Sequence, residues 1–140
     1  MANNIVRIML VEDYKLMRVG IKSLFEKYPD LEIIKECETA KEAIESAKFI
    51  KPDVILMDIG LPDMSGIEAA KKILNDNKKV KIIMLTSHVS EKEVMDSLTA
   101  GASAYVMKDF ETENLVVIIR TVKEGAMWLD PQVVPFIRDK

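Results

Sequence analysis

Apolar and polar positions along the chain alternate between two rhythms. Four short runs rich in β-branched residues, Val6 to Val11, Asp53 to Met57, Val80 to Leu85 and Ala104 to Met107, are too short for helices and read as buried strands. A more polar run, Leu31 to Cys37, reads as an edge strand. Between the runs apolar residues recur at helical spacing. Leu16, Ile21, Leu24, Phe25 and Tyr28 mark a helix from Tyr14 to Tyr28 that Pro29 stops. Thr39 with Glu42 three residues on caps a second helix, in which Ala43, Ile44 and Ala47 face inward. Ser65 with Glu68, and Ser90 with Glu93, open the third and fourth in the same way. Ile67, Ala70, Ile73 and Leu74 form the third helix's stripe, and Ala100-Gly101 ends the fourth. A fifth helix, Glu113 to Glu124, turns Leu115, Val116, Ile119 and Val122 inward and stops at Gly125.

Five strands alternating with five helices predict an α/β fold, a five-stranded parallel sheet with helices on both faces. With right-handed crossovers and the order 2-1-3-4-5, the switch point falls between strands one and three, and the loops at the strands' C-terminal ends share one edge. The remainder, Ala126 to Lys140, carries Asp130-Pro131 as a cap and first-turn proline, and is expected to form a short helical turn or a linker.

Composition narrows the picture without redrawing it. A length of 140 residues suits one domain with a proper core. The net charge of −3 gives no electrostatic support for nucleic-acid binding by these residues. A single cysteine, Cys37, excludes an internal disulfide. No apolar run approaches the ~20 residues that span a bilayer. The start, Met1-Ala2-Asn3-Asn4, lacks the regions of a signal peptide. A cytoplasmic location is expected.

The chemistry sits at strand ends. Asp58 follows the apolar run Val54-Ile55-Leu56-Met57, Glu12-Asp13 follow strand one, and Lys108 follows strand five. Strand tips are where ligands bind in open α/β sheets. Three carboxylates in one crevice repel one another unless a cation bridges them or one stays protonated. Oxygen-only ligands favour a hard ion such as Mg²⁺ (Mn²⁺ would also serve), with Asp13 and Asp58 direct ligands, Gly60 offering its backbone carbonyl, and Glu12 acting directly or through water. An aspartate can act as nucleophile on phosphorus. Phosphoryl transfer then needs mainly positioning and charge neutralisation, supplied by the cation and Lys108. Thr86, ending strand four, is placed to donate its hydroxyl to a phosphoryl oxygen, whereas alternation points Ser87 the other way.

These motifs together, Glu12-Asp13, Asp58 within Met57-Asp58-Ile59-Gly60-Leu61-Pro62-Asp63-Met64-Ser65-Gly66, Leu85-Thr86-Ser87, and Gly101 to Lys108, resemble the receiver domain of two-component response regulators. The likeness covers about Ile5 to Gly125 and implies a flavodoxin-like receiver fold. It further implies that Asp58 accepts phosphate from a sensor histidine kinase, that Asp13 with Glu12 holds Mg²⁺, that Lys108 contacts the phosphoryl group, and that Thr86 and Tyr105 form a switch pair. Gly60 and His88, each two positions after a site residue, would tune hydrolysis of the acyl phosphate. The segment Ile119 to Pro131 is similar to the receiver end of the NarL/FixJ (LuxR-type) subgroup. In that subgroup a DNA-binding helix-turn-helix domain follows. Residues 1–126 are accordingly expected to be the receiver and 127–140 a tail towards an output domain outside this chain, with homodimerisation on phosphorylation. Many receivers carry proline after the lysine; this chain has Asp109, as the LuxR-type subgroup often does.

Other classes fit less well. A stand-alone receiver acting by protein contact needs no output domain. A Mg²⁺-dependent aspartyl-phosphate phosphohydrolase usually has an acid two residues after its nucleophile, where this chain has Gly60. A flavin or nucleotide binder would want a Gly- or Ser/Thr-rich loop after strand one, where Glu12-Asp13-Tyr14-Lys15 stands. The expected protein is a phosphoacceptor, catalysing no more than its own phosphorylation and dephosphorylation.

Overall fold

Strands β1 (Val6–Val11), β2 (Leu31–Cys37), β3 (Val54–Asp58), β4 (Lys81–Thr86), β5 (Ala104–Met107) and β6 (Trp128–Leu129) form one sheet in the order β2-β1-β3-β4-β5-β6. Every pairing is parallel. The computed structural model describes residues 4–108 and 112–138. Helices α1 (Lys15–Phe25), α2 (Ala40–Ile50), α3 (Gly66–Asp76), α4 (Glu91–Ala100) and α5 (Thr112–Lys123) alternate with the first five strands.

Period-two alternation divides the core. Ile8, Leu10, Leu56, Ile83, Leu85 and Val106 face Ile21 and Phe25 of α1 and Leu115 and Ile119 of α5. Their odd-step neighbours Met9, Val11, Ile55, Met57, Met84 and Tyr105 face α2, α3 and α4 on the other side. The central strands are therefore apolar on both faces, as a doubly covered parallel sheet requires. β2 is an edge, as its polarity predicts.

Local chemistry explains the helix ends. Thr39 and Ser90 accept from the amides of Glu42 and Glu93, as expected of capping residues. Ser65 accepts instead from Ile67 N, and the Glu68 carboxylate lies 4.0 Å from Lys71 Nζ, so the expected capping box gives way to a single cap with a surface pair. α2 ends on Lys51 in the left-handed region, φ 51°. The Arg7 guanidinium donates to the carbonyls of Ile50 and Lys51 there, satisfying groups the helix end leaves free. Gly101 ends α4 at φ 104°, a conformation a side chain would resist. Helix α1 stops at Phe25, three residues short of the expected Tyr28, because Lys27 and Tyr28 close a tighter turn onto Leu24 and Phe25.

Three boundaries differ from the sequence reading in ways that matter. β3 and β4 each extend one residue further, so Asp58 is the last residue of β3 and not the first of the loop, and Thr86 ends β4. The tail adds a sixth strand, where a turn or linker is expected: Trp128 pairs with Ala104 and Leu129 with Tyr105. A 3₁₀ turn, Pro131–Val133, and a short helix α6, Val134–Arg138, follow. Asp130 caps the turn through Gln132 N, the role its place before Pro131 predicts. Val133, Phe136 and Ile137 close over the cluster that holds Val94 and Tyr105. Asp109 lies outside the described residues. Among the described residues no helix is long and apolar enough to cross a membrane.

Candidate functional site

The C-terminal ends of β1, β3, β4 and β5 meet at a cavity of about 520 Å³ whose lining includes Glu12, Asp13, Asp58, Gly60, Thr86, His88 and Lys108. Adjacent parallel strands in register put these tips side by side: Val11 opposes Met57, Asp58 opposes Leu85, and Thr86 opposes Met107. The fold thus gathers seven of the eight expected residues (Glu12, Asp13, Asp58, Gly60, Thr86, His88 and Lys108) around one cavity, while Tyr105 lies in the core and does not line it.

Lys108 organises the centre. Its Nζ lies 2.8 Å from Glu12 Oε1 and 3.0 Å from Asp58 Oδ1. Glu12 is fully buried and Asp58 nearly so, while Asp13 is exposed at the mouth. Oxygens of the three acids lie within 4.8 Å of one another. Glu12 Oε2 accepts from Tyr14 N, but Oε1 is buried with no aligned hydrogen bond despite the nearby lysine. Three carboxylates with no nitrogen or sulfur donor among them, two of them facing a lysine ammonium, are the kind of oxygen set a hard divalent cation takes. Burial, and then the Asp58 charge, raise the Glu12 pKa above the usual carboxylate value, against the opposing pull of Lys108. Burial works against the Lys108 charge too, but the contacts with Glu12 and Asp58 outweigh it and raise the lysine's pKa.

This has a measurable consequence. A folded-state pKa above the unfolded one means that the folded protein holds the Glu12 proton more tightly, so acidification favours folding through this group. As pH rises from 4.5, the ordinary unfolded value, through the raised folded value, that contribution is lost. Denaturant unfolding of chelator-treated protein should show the Glu12→Gln variant gaining on the parent over that window and holding a constant lead above it. Parallel pH profiles would show that Glu12 ionises at no cost.

Thr86 and Tyr105 lie on one face of the sheet, since Met84 opposes Tyr105 and Thr86 opposes Met107. The Thr86 hydroxyl donates to the His88 carbonyl at 2.9 Å and accepts from His88 N at 3.3 Å, so it is turned along its own loop. Tyr105 is fully buried, and its hydroxyl makes no well-aligned hydrogen bond among the described residues. The His88 ring is exposed, with Nε2 3.4 Å from Glu93 Oε1.

Two residues escape sequence reasoning. Arg18, on an otherwise solvent-facing step of α1, donates from Nη1 to the Glu12 carbonyl at 2.7 Å and approaches Glu36 at 3.6 Å. It ties the acidic loop to β2. Asp63 spans the site loop and α2, accepting from Ala40 N and Lys41 N. Only Arg18 left a trace in the sequence, a charge one turn into a helix that follows an acidic pair; Asp63 looks like any turn aspartate.

The comparisons with known proteins agree with this geometry. The family model described as "Response regulator receiver domain" matches residues 8–120. The chain belongs to that family of two-component signalling receivers. Response regulator protein VraR of Staphylococcus aureus (strain NCTC 8325 / PS 47) is 34% identical over 135 residues, which is 96% of this chain and 65% of that protein. The chain therefore spans about two thirds of the length of this relative. The crystal structure of a LuxR-family two-component response regulator from Aurantimonas sp. SI85-9A1 superposes with a TM-score of 0.90 at 31% identity, covering 96% of each chain. The isolated receiver domain of RcsB from Salmonella enterica serovar Typhimurium, determined with phosphomimetic BeF3-, gives a TM-score of 0.85 over 95% of this chain and 99% of that one. At 18% identity that likeness speaks for the fold alone. The chain is thus a receiver similar to LuxR-family two-component response regulators, with an acidic pocket of Glu12, Asp13 and Asp58.

Proposed function

We propose that Asp58 takes a phosphoryl group from the phosphohistidine of a sensor histidine kinase, with Mg²⁺ held by Glu12, Asp13, Asp58 and the Gly60 carbonyl, and that the change is passed to an output. The observation that carries this reading is the single lysine ammonium set between Glu12 and Asp58 in an oxygen-only cluster. When bound, Mg²⁺ supplies positive charge to the phosphoryl oxygens and offsets the repulsion among the acids.

The chain's own groups do the rest. One Asp58 carboxylate oxygen attacks phosphorus, the donor's P–N bond breaks, and the leaving imidazole nitrogen takes up a proton. Asp58 Oδ1 is held by Lys108 and by Gly60 N at 3.2 Å, which fixes the carboxylate plane before attack. Lys108 then shares its charge with a phosphoryl oxygen. Thr86 gives up the His88 carbonyl and donates to another, which leaves that carbonyl free. Tyr105, buried beside Val94 of α4, is held by backbone pairing to β6, so a shift of the Thr86 loop reaches α4 and the tail through it. Gly60 leaves its side of the cavity open to water, and His88 turns towards Glu93; both tune how long the acyl phosphate survives.

Residues 1–126 serve as the receiver and 127–140 as the connection to a DNA-binding output domain, the receiver acting in the cytoplasm as a phosphoacceptor and not as an enzyme on other substrates. The kinship with LuxR-type regulators supports this. Incubation with Mg²⁺ and phosphoramidate, a P–N donor, followed by borohydride reduction, tests the assignment. Reduction of the acyl phosphate should convert residue 58 alone to homoserine, read by peptide mass. Homoserine at position 13, or at none, would contradict it.

A further inference from the structure

Asp58 and α3 are joined by a loop that would carry the Gly60 carbonyl to the cation. Most of its restraints are internal. Gly60 N donates to Asp58 Oδ1, Leu61 N and Gly66 N both donate to Ile59 O, and Ser65 caps its own helix. Outside the loop, Ile59 N continues the sheet by donating to Leu85 O at 3.0 Å, and further along the loop the long-range tie is Asp63. Its two carboxylate oxygens accept from Ala40 N at 2.8 Å and Lys41 N at 3.0 Å, the first two amides of α2, more than twenty residues away in sequence.

The accounting of α2's first turn shows why. Thr39 Oγ1 accepts from Glu42 N, and the Glu42 carboxylate returns the favour to Glu38 N at 3.0 Å. The Thr39 carbonyl takes Ala43 N. A capping box of this kind satisfies the third amide and leaves the first two open. Asp63 fills both places from another element, where the positive end of the helix dipole also favours a carboxylate. These two amide bonds hold the Asp63 carboxyl below the usual range, so it stays ionised and clamped at any pH near neutral.

From this closure we infer that Asp63 is a positioning residue of the cation site. It holds the Asp58–Gly66 loop against α2 so that the Gly60 carbonyl and the Asp58 carboxylate stay aimed at one point. The inference rests on the reading of this crevice as a Mg²⁺ and phosphoryl site, and it adds a residue that touches neither group. It predicts that loss of the clamp weakens cation affinity without altering the chemistry once the cation is bound. Supporting groups of this kind are typically worth roughly ten- to hundredfold in metal affinity.

Calorimetric titration with Mg²⁺ alone, on the parent, Asp63→Ala, Asp63→Asn and Thr39→Ala, tests it. Thr39→Ala is the control, since it removes a cap from the same helix but leaves the loop clamped. Asp63→Ala should raise the Mg²⁺ dissociation constant about tenfold. Asp63→Asn, keeping one acceptor oxygen, should fall between it and the parent, and Thr39→Ala should stay within twofold of the parent. In labelling with acetyl phosphate, Asp63→Ala should need correspondingly more Mg²⁺ for half-maximal rate and reach the parent's plateau. The shift should persist in about 1 M KCl, where a Debye length of roughly 3 Å screens an exposed charge. An unchanged affinity in Asp63→Ala, an equal loss in Thr39→Ala, or a shift that salt erases would overturn the positioning role while leaving the phosphoacceptor reading intact. No Mg²⁺ binding by the parent would overturn that reading and this inference with it.

Discussion

Lys108→Ala is expected to cost the metal-free protein about 3 kcal/mol near neutral pH, because removing one partner of a buried ion pair strands the charge that remains. Here two carboxylates are stranded, Glu12 at 0% and Asp58 at 7% side-chain exposure, and the lysine itself is only 17% exposed. The loss has a defined pH dependence. The Lys108 pKa is raised in the folded state, so its stabilisation is fully present below 10.5, the unfolded value, and disappears as pH rises through the higher folded one. At the acid end the difference between parent and variant shrinks as Glu12 takes up its proton above pH 4.5, since a neutral Glu12 no longer needs the ammonium. Urea unfolding in chelator between pH 4 and pH 11 gives both limbs. A parent and variant within about 1 kcal/mol of each other at pH 7 would show the pair to be worth no more than a surface bridge.

Gly66→Ala should be as damaging for a different reason. A Cβ built there would run into the Asp58 carbonyl oxygen and stand 2.9 Å from its carbon, both backbone atoms that no rotamer change can move. Either the start of α3 or the end of β3 must shift. Forced overpacking costs about 1–3 kcal/mol, and a backbone collision belongs at the top of that range. Since Asp58 itself is what moves, phosphoryl uptake should fall with stability. Gly60→Ala is the matched control, for a Cβ at Gly60 meets nothing within 4 Å. It should change stability by no more than about 0.5 kcal/mol. Thermal melts of both variants, and acetyl phosphate labelling of Gly66→Ala against the parent, decide the matter; a Gly66→Ala protein that melts and labels like the parent would mean that the loop yields freely.

Much of this arrangement can be read from local sequence signals, because the forces that set it are local. Strand faces follow from period two, and Thr39, Ser90, Gly101 and Gly125 announce helix ends through their own side chains or lack of one. The acids and Lys108 stand out because charge directly after a buried strand has few structural reasons to be there. What stays hidden depends on partners distant in sequence. Two residues, Trp128 and Leu129, are too few to show alternation, and they become a strand only because β5 offers them an open edge. Arg18 and Asp63 act on backbone groups of the neighbouring loop and helix, contacts that leave no periodicity behind. Asp58 reads as a loop residue because polarity marks the end of an apolar run, yet the ladder continues one step further: Asp58 still pairs with Leu85, as Thr86 at the end of β4 does with Met107. That step fixes both side chains on the rigid sheet, a better platform for positioning than a loop. Tyr105 is tied into the tail in the same way, buried with Asp130 N bonded to its carbonyl at 3.0 Å, a partner twenty-five residues on that no local pattern announces.

Intact mass after incubation with Mg²⁺ and acetyl phosphate, beside Asp58→Asn, tests the central claim most directly. The parent should gain one phosphoryl group, about 80 Da, and chelator added before the donor should prevent the gain, because aspartate acts as the nucleophile only with the charge of the crevice neutralised. Asp58→Asn should gain nothing. An adduct that survives in Asp58→Asn, or a parent that neither carries phosphate nor turns the donor over, would contradict the account.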